Sequence, residues 1–137
     1  MSTEKTDIEE TNDEVNNKII VGLTEKVIVK GESQNREVIA RMDTGATKSS
    51  IDVSLAAELR LGPVIDSKLI RSAHGTKLRP VVEVNVEIKG KILRARFTVA
   101  DRSQMRYPVL IGQNLLKNNF LIDPSRRVDM PMRMKKQ

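Results

Sequence analysis

Cysteine is absent from the 137 residues, which excludes disulfides, iron–sulfur clusters and thiolate zinc sites. Aromatic residues are nearly absent as well. Phe97, Phe120 and Tyr107 are the only three, and there is no tryptophan. A core must then be assembled from Val, Ile, Leu and Met, a palette that favours strands over helices anchored by aromatic rings. The same shortage argues against a base-stacking surface for single-stranded nucleic acid. Histidine occurs once, as His74, and no H-E-x-x-H pattern exists, so the common donor sets for a resident zinc ion are missing. No glycine-rich phosphate loop of the G-x-x-x-x-G-K-[ST] type is present. No stretch approaches the roughly 20 apolar residues needed to cross a bilayer, and Met1-Ser2-Thr3-Glu4-Lys5 lacks the apolar run of a secretory signal. The expectation is a cytoplasmic protein with no cofactor, no metal and no membrane partner.

What is present is charge, unevenly placed. Residues 1–18 hold six acids and two bases for a net −4, and the whole chain is +6, so residues 19–137 carry +10. Residues 1–17 have no hydrophobic periodicity and read as a disordered acidic tail. The basic body points to acidic partners or simply to a solvated surface that resists association. Residues 125–137, basic and rich in methionine, read as a loose C-terminal tail, which leaves residues 18–124 as one folded domain.

Within that domain the hydrophobic pattern is that of short strands. Ile19-Ile20-Val21 and Val27-Ile28-Val29 are β-branched runs, either two strands or one bent strand, and Glu37–Met42 forms the next. Thr47–Ile51 reads as a short strand. Asp52 is placed to cap a helix over Val53–Arg60, with Leu55 and Leu59 on one face and Gly62-Pro63 as its stop. Lys68–Ser72 is a strand ending in the turn Ala73-His74-Gly75-Thr76. Val82, Val84, Val86 and Ile88 alternate with polar residues, Lys89-Gly90 turns the chain, and Leu93, Ala95, Phe97 and Val99 alternate on the return. Tyr107–Ile111 is continuously apolar, a pattern suited to burial on both faces. Gly112 ends it, Gln113–Asn119 can form a helix, and Phe120–Ile122 is a last strand. The fold class is therefore mostly β, a barrel of short strands with one or two short helices.

One tetrapeptide carries chemistry. In Asp43-Thr44-Gly45-Ala46 a strand delivers a carboxylate into a tight turn of small residues. Gly45 lets the backbone come close and can donate its N–H to that carboxylate, and the Thr44 hydroxyl can bond across a shared interface. An ordinary Asx turn has the same four residues, so the motif gains weight only from its companions further along the chain. Val109-Leu110-Ile111-Gly112 is an apolar run ending in glycine and entering a helix, and between the two motifs lies a hairpin-rich stretch with the small-residue tip Ala73-His74-Gly75-Thr76.

This order of strand, D-T-G-A, short helix, hairpin tip, long hairpin, apolar-apolar-Gly and helix resembles the retropepsins, the retroviral-type aspartic proteases, over about Ile19 to Asp123. The resemblance implies an acid-protease barrel with Asp43, Thr44 and Gly45 as its catalytic loop, and a substrate cleft touched by Ala46, Ser72, Ala73, His74 and Gly75. Arg41 before the motif and Arg106-Tyr107-Pro108-Val109-Leu110-Ile111-Gly112 resemble the small cellular branch called ATP-dependent zinc proteases, which tends to be linked to ATP-grasp ligases that add glutamates. Retropepsins commonly carry Arg after the second-motif glycine, whereas this chain has Gln113, which removes the usual arginine ion pair.

An aspartic protease needs two carboxylates sharing one proton. No other aspartate of this chain precedes Thr-Gly or Ser-Gly, and the chain is too short for two lobes. The reading therefore implies a homodimer whose two Asp43 side chains meet on a two-fold axis, acting on a peptide or protein substrate, with an acidic one favoured by the net charge. Three other readings share these features in part: a catalytically silent dimerisation or peptide-binding domain of the same fold, a basic barrel for nucleic acid, and a metal-dependent hydrolase.

Overall fold

The computed structural model describes residues 14–128. Its elements are β1 (Glu14–Val15), β2 (Lys18–Val21), β3 (Thr24–Lys30), β4 (Asn35–Met42), β5 (Ser49–Asp52), α1 (Val53–Glu58), β6 (Val64–Ser72), β7 (Gly75–Ile88), β8 (Lys91–Ala100), β9 (Val109–Ile111), α2 (Gln113–Leu116) and β10 (Phe120–Ile122). The main sheet runs β3-β4-β9-β5-β8-β7-β6, and a further pairing of β3 with β7 closes six of these strands into a barrel. Strand β6 stays outside the closure, paired only with β7. A small second sheet has the order β1-β2-β10. The mostly-β barrel with two short helices expected from the sequence is the fold observed.

Alternation decides which residues fill the barrel. On β7 the side chains of Val82, Val84, Val86 and Ile88 are buried while Glu83 is exposed, as a period of two requires. Val27 and Val29 of β3, Phe97 of β8 and Ile51 of β5 join them in one continuous core. The β7–β8 turn is built on Lys89 and Gly90, both at positive φ (52° and 81°), the hairpin geometry that matches strand twist. The polar face of this hairpin holds an Arg94–Glu83 ion pair at 3.0 Å. That face ends at Thr98, which is buried and donates its hydroxyl to the Ser49 carbonyl.

Ile19–Val21 and Val27–Val29 are two strands in separate sheets. The break falls at Gly22, where a Cβ would lie 2.4 Å from the Arg126 carbonyl oxygen. The C-terminal segment crosses there: Leu23 N donates to Arg126 O at 2.8 Å, and Thr24 Oγ1 bonds both the carbonyl (2.8 Å) and the N–H (2.7 Å) of Val128. Residues 125–128 are thus tied to the barrel, which corrects that part of the expected loose tail. At the other end, Glu14–Val15 pairs with Lys18–Ile19 through Asn16-Asn17 at φ 52° and 66°, so the expected tail boundary at residue 17 is displaced by a short hairpin. The rest of both expected tails, residues 1–13 and 129–137, lies outside the described residues.

Strand β9 is placed most unusually. It lies between β4 and β5, parallel to the first (Met42↔Ile111) and antiparallel to the second (Ile51↔Val109). The loop joining β4 to β5, residues 43–48, must therefore pass over the end of β9. That crossing places Asp43.

Candidate active site

Asp43 follows the last residue of β4, and three sets of bonds fix the loop that begins there. The Asp43 N–H donates to Ile111 O at 2.8 Å, Gly45 N–H donates to the Asp43 carboxylate (Oδ1) at 2.9 Å, and Ala46 N–H donates to Asp43 O at 3.3 Å. The loop is then welded to the start of α2. Gln113 N donates to Ala46 O (2.8 Å), Asn114 N to Thr47 O (3.2 Å), and Gln113 Nε2 to Thr44 O (2.7 Å). Gln113 stands where retropepsins commonly carry arginine. An amide reaching the Thr44 carbonyl takes the place of an ion pair as the tie between the two motifs.

Gly112 makes this closeness feasible. Its φ of −104° is open to any residue, so the requirement is space. A Cβ there would lie 2.3 Å from Lys48 O and 2.9 Å from Ala46 O. Its N–H donates to Ser49 Oγ (2.9 Å), Ser49 Oγ donates to Asn114 Oδ1 (2.7 Å), and Asn114 Nδ2 donates to Arg96 O (2.9 Å). This chain of bonds satisfies the buried Ser49 and binds β5, α2 and β8 together beneath the loop.

In the single chain, Asp43 is half-buried while Thr44 and Gly45 are exposed. Asp43 lines a groove of about 560 Å³ together with Leu23, Thr24, Leu110, Met105, Tyr107 and four arginines, Arg41, Arg102, Arg106 and Arg127. Leu110 corrects the expectation that β9 is buried on both faces. Val109 and Ile111 are fully buried, but Leu110 between them turns into the groove. Sequence reasoning missed the loop 101–107 altogether. Its only signal is a run of polar and basic residues immediately before the second motif.

That loop is held from α1. The Asp52 side chain caps the helix, accepting from the Ser54 N–H at 3.1 Å and from the Ser54 hydroxyl, and its other oxygen accepts from Arg102 N–H at 2.6 Å. Asp52 N–H donates to Pro108 O at 2.9 Å, and Arg102 Nε donates to Tyr107 O at 3.0 Å. Burial pushes the Asp52 pKa up, but the hydrogen bonds from Ser54 and Arg102 outweigh it, and the net displacement is downward from 3.8. The sign follows directly. A carboxylate with a depressed folded pKa stabilises the protein above the unfolded value, and that contribution disappears as pH falls through the folded one. Replacing Asp52 by Ala is expected to cost about 1–3 kcal/mol near neutral pH, the sum of a lost cap and a lost charge-assisted bond. In urea titrations the gap to the unmodified protein should stay constant down to about pH 5 and narrow only below the ordinary value of 3.8. A gap that widens in acid would contradict the assignment.

Burial lowers the Arg102 pKa; the Asp52 and Asp43 carboxylates oppose this, and the neighbouring Arg41 and Arg79 add to it. Period-two alternation puts Lys77 and Arg79 of β7 on one face of the β6–β7 hairpin. The opposite face carries Leu69 and Leu78, cross-strand partners that are 54% and 65% exposed. Arg71, opposite Thr76, shares that face. Arg94 is engaged by Glu83 on the polar face of the β7–β8 hairpin. Arg96 lies within 3.9 Å of Asp66.

The hairpin tip brings Ser72 opposite Gly75 with Ala73 and His74 between them. Ala73, His74 and Gly75 do not line the groove beside Asp43 in the single chain. The donors around Asp43 do not suit a metal ion. Its charged neighbours are guanidiniums, and among the described residues no three His, Asp or Glu side chains come together. Among the described residues no helix is long and apolar enough to cross a membrane.

A closed barrel whose D-T-G loop is tied beneath by an apolar-apolar-Gly strand and its following helix is a retropepsin-like fold. Solved structures bear this out. A Legionella pneumophila protein of unknown function, Lpg0085, superposes with a TM-score of 0.57 at 21% identity, covering 79% of this chain and 95% of that one. The simian foamy virus (mac) protease gives 0.53 at 19% identity over 68% and 90%. The EIAV protease complexed with the inhibitor HBY-793 gives 0.56 at 21% identity over 69% and 85%. No curated protein sequence matches the chain. A family model described as RimB-like, retropepsin-like aspartic endopeptidase RimB, matches residues 55–131, more than half of the chain. The chain belongs to the RimB-like family.

Proposed function

We propose that this protein is an aspartic endopeptidase that works as a homodimer, with one Asp43 from each copy holding the attacking water. The observation that carries this reading is the Asp43 loop itself. A half-buried carboxylate accepts the Gly45 N–H and is anchored through its backbone to Ile111, on the wall of an open groove. Two such carboxylates a few ångströms apart cannot both ionise, so one serves as base and the other donates a hydrogen bond. The water between them attacks the peptide carbonyl, the shared proton passes to the departing amine, and no covalent intermediate forms. Thr44 and Gly45, exposed in one copy, face the second copy in this arrangement, and the tips at Ser72–Gly75 close over the substrate from both sides.

The four groove arginines and the +10 carried by residues 19–137 favour an acidic peptide as substrate. The resemblance to the branch linked with glutamate-adding ligases points the same way by association.

Assembly gives the first test. Sedimentation at micromolar concentration is expected to show a dimer. A strict monomer, with or without a transition-state inhibitor, would contradict the mechanism, because one chain supplies a single D-T-G.

A silent peptide-binding domain of the same fold has one observation in its favour: the family match begins at residue 55, after the Asp43 loop. Hydrolysis by the unmodified protein, and its loss on changing Asp43, separates the two readings.

A further inference from the structure

The four groove arginines differ in how they are held. Arg41 and Arg106 are exposed, and Arg106 rests over the Tyr107 ring at 5.8 Å. Arg127 comes from the C-terminal segment. Arg102 is partly buried and fixed at two points, through its backbone N–H to Asp52 and through Nε to the Tyr107 carbonyl. The Nε bond leaves the terminal nitrogens of the guanidinium for the groove. Asp43, Arg41 at the end of β4 and Arg106 line the same groove as Arg102. One guanidinium is thus held rigidly beside the proposed reacting centre, with two more cations around it and part of its hydration removed.

Such a group binds anions selectively for two reasons. Partial desolvation weakens the water that would compete, and the mutual repulsion of Arg41, Arg102 and Arg106 is relieved by an incoming negative charge. An uncharged side chain entering the same space would strip water from the guanidinium and return nothing, so discrimination comes as much from rejecting neutral residues as from holding acidic ones. Planar, two-point geometry suits a carboxylate, and lysine cannot reproduce it.

We infer that Arg102 is the specificity-determining residue of this cleft, receiving the carboxylate of a glutamate or aspartate side chain next to the bond to be cleaved. The inference rests on the peptidase reading for the meaning of the groove, and its test works on binding alone. Asp52 acts through Arg102 as a positioning residue, because it holds the loop that carries the guanidinium.

The experiment uses two labelled peptides identical except that one carries Glu where the other carries Gln, read by fluorescence anisotropy against the full-length Asp43→Asn protein, with the Arg102→Gln change added. Arg102→Gln is expected to weaken the Glu peptide about 10- to 100-fold, the range of one charge-assisted bond, and to leave the Gln peptide within about twofold. Arg102→Lys keeps the charge and should recover only a small part of the loss. Arg94→Gln removes the same unit of charge from the exposed pair with Glu83 and should not alter the Glu-to-Gln ratio. An unchanged ratio in Arg102→Gln overturns the inference. An equal drop from Arg94→Gln also overturns it, because net charge and not Arg102 would then be selecting. Hydrolysis is read separately on the protein with Asp43 intact. If neither peptide is cleaved while the Arg102 effect on binding stands, the peptidase reading has failed and the specificity assignment has not.

Discussion

Asp43→Asn should eliminate peptide hydrolysis, with kcat/KM falling on the order of 10⁴-fold, the upper range of what positioned acid–base groups contribute. Asparagine keeps the shape of the side chain and can still accept the Gly45 N–H, which is the only side-chain hydrogen bond described for Asp43. In the proposed homodimer it would remove the proton shared between the two copies, and because every dimer would carry the change twice, no intact pair would survive. Circular dichroism and the urea midpoint should be nearly unchanged, since a half-exposed position contributes little to stability. An Asp43→Asn protein with full activity would refute this site as the source of hydrolysis, whatever other group proved responsible.

Gly112→Ala should be strongly damaging for a single added methyl group. The added Cβ would meet Lys48 O at 2.3 Å, Lys48 C at 2.7 Å and Ala46 O at 2.9 Å. All three are backbone atoms of the loop that follows Asp43, so no side chain can rotate away to make room. Overpacking of this kind costs about 1–3 kcal/mol or more, and the relief must come from moving residues 46–48. That displacement strains the bonds from Gln113 N to Ala46 O and from Gln113 Nε2 to Thr44 O. The expected outcome is a lowered melting temperature together with activity reduced beyond what the unfolded fraction explains. Normal activity per folded molecule would mean that the loop tolerates displacement and that the tie to α2 does not control it.

The features behind these two results differ in how legible they are in the chain. The Asp43 motif can be read directly because the residues that make it are contiguous. So can the barrel strands: Val82, Val84, Val86 and Ile88 alternate without exception, and they are buried together. The α1 cap at Asp52 is also legible, since an aspartate immediately before a helical pattern has few other uses. Its second bond, to Arg102 fifty residues later, cannot be read, because nothing local marks a side-chain oxygen as having two duties. The groove arginines escape notice for the same reason. Arg41, Arg102 and Arg127 come from three separate parts of the chain and meet only once β4, the 101–107 loop and the C-terminal segment are packed. Net charge correctly suggests cations near the cleft, but it cannot say which. Strand register puts Arg71 on the hairpin face of Leu69 and Leu78, opposite that of Lys77 and Arg79. Period-two structure makes a one-residue difference decisive.

The position of β9 between β4 and β5 also bears on how the protein comes into being. Strands β4 and β5 are not neighbours, and the gap between them is filled only by Val109–Ile111. A nascent chain that has reached Ala100 already holds β3, β4 and the two long hairpins, but the loop after Met42 still lacks its floor: Ile111 O is the acceptor for Asp43 N–H, and Gln113 has yet to bond Thr44 and Ala46. The carboxylate is thus made early and positioned late. During synthesis the molecule passes through a long interval in which its hydrophobic strands exist and the floor of the Asp43 loop does not, so on the proposed reading a ribosome-bound chain would gain its cleavage site only when nearly the whole domain has emerged.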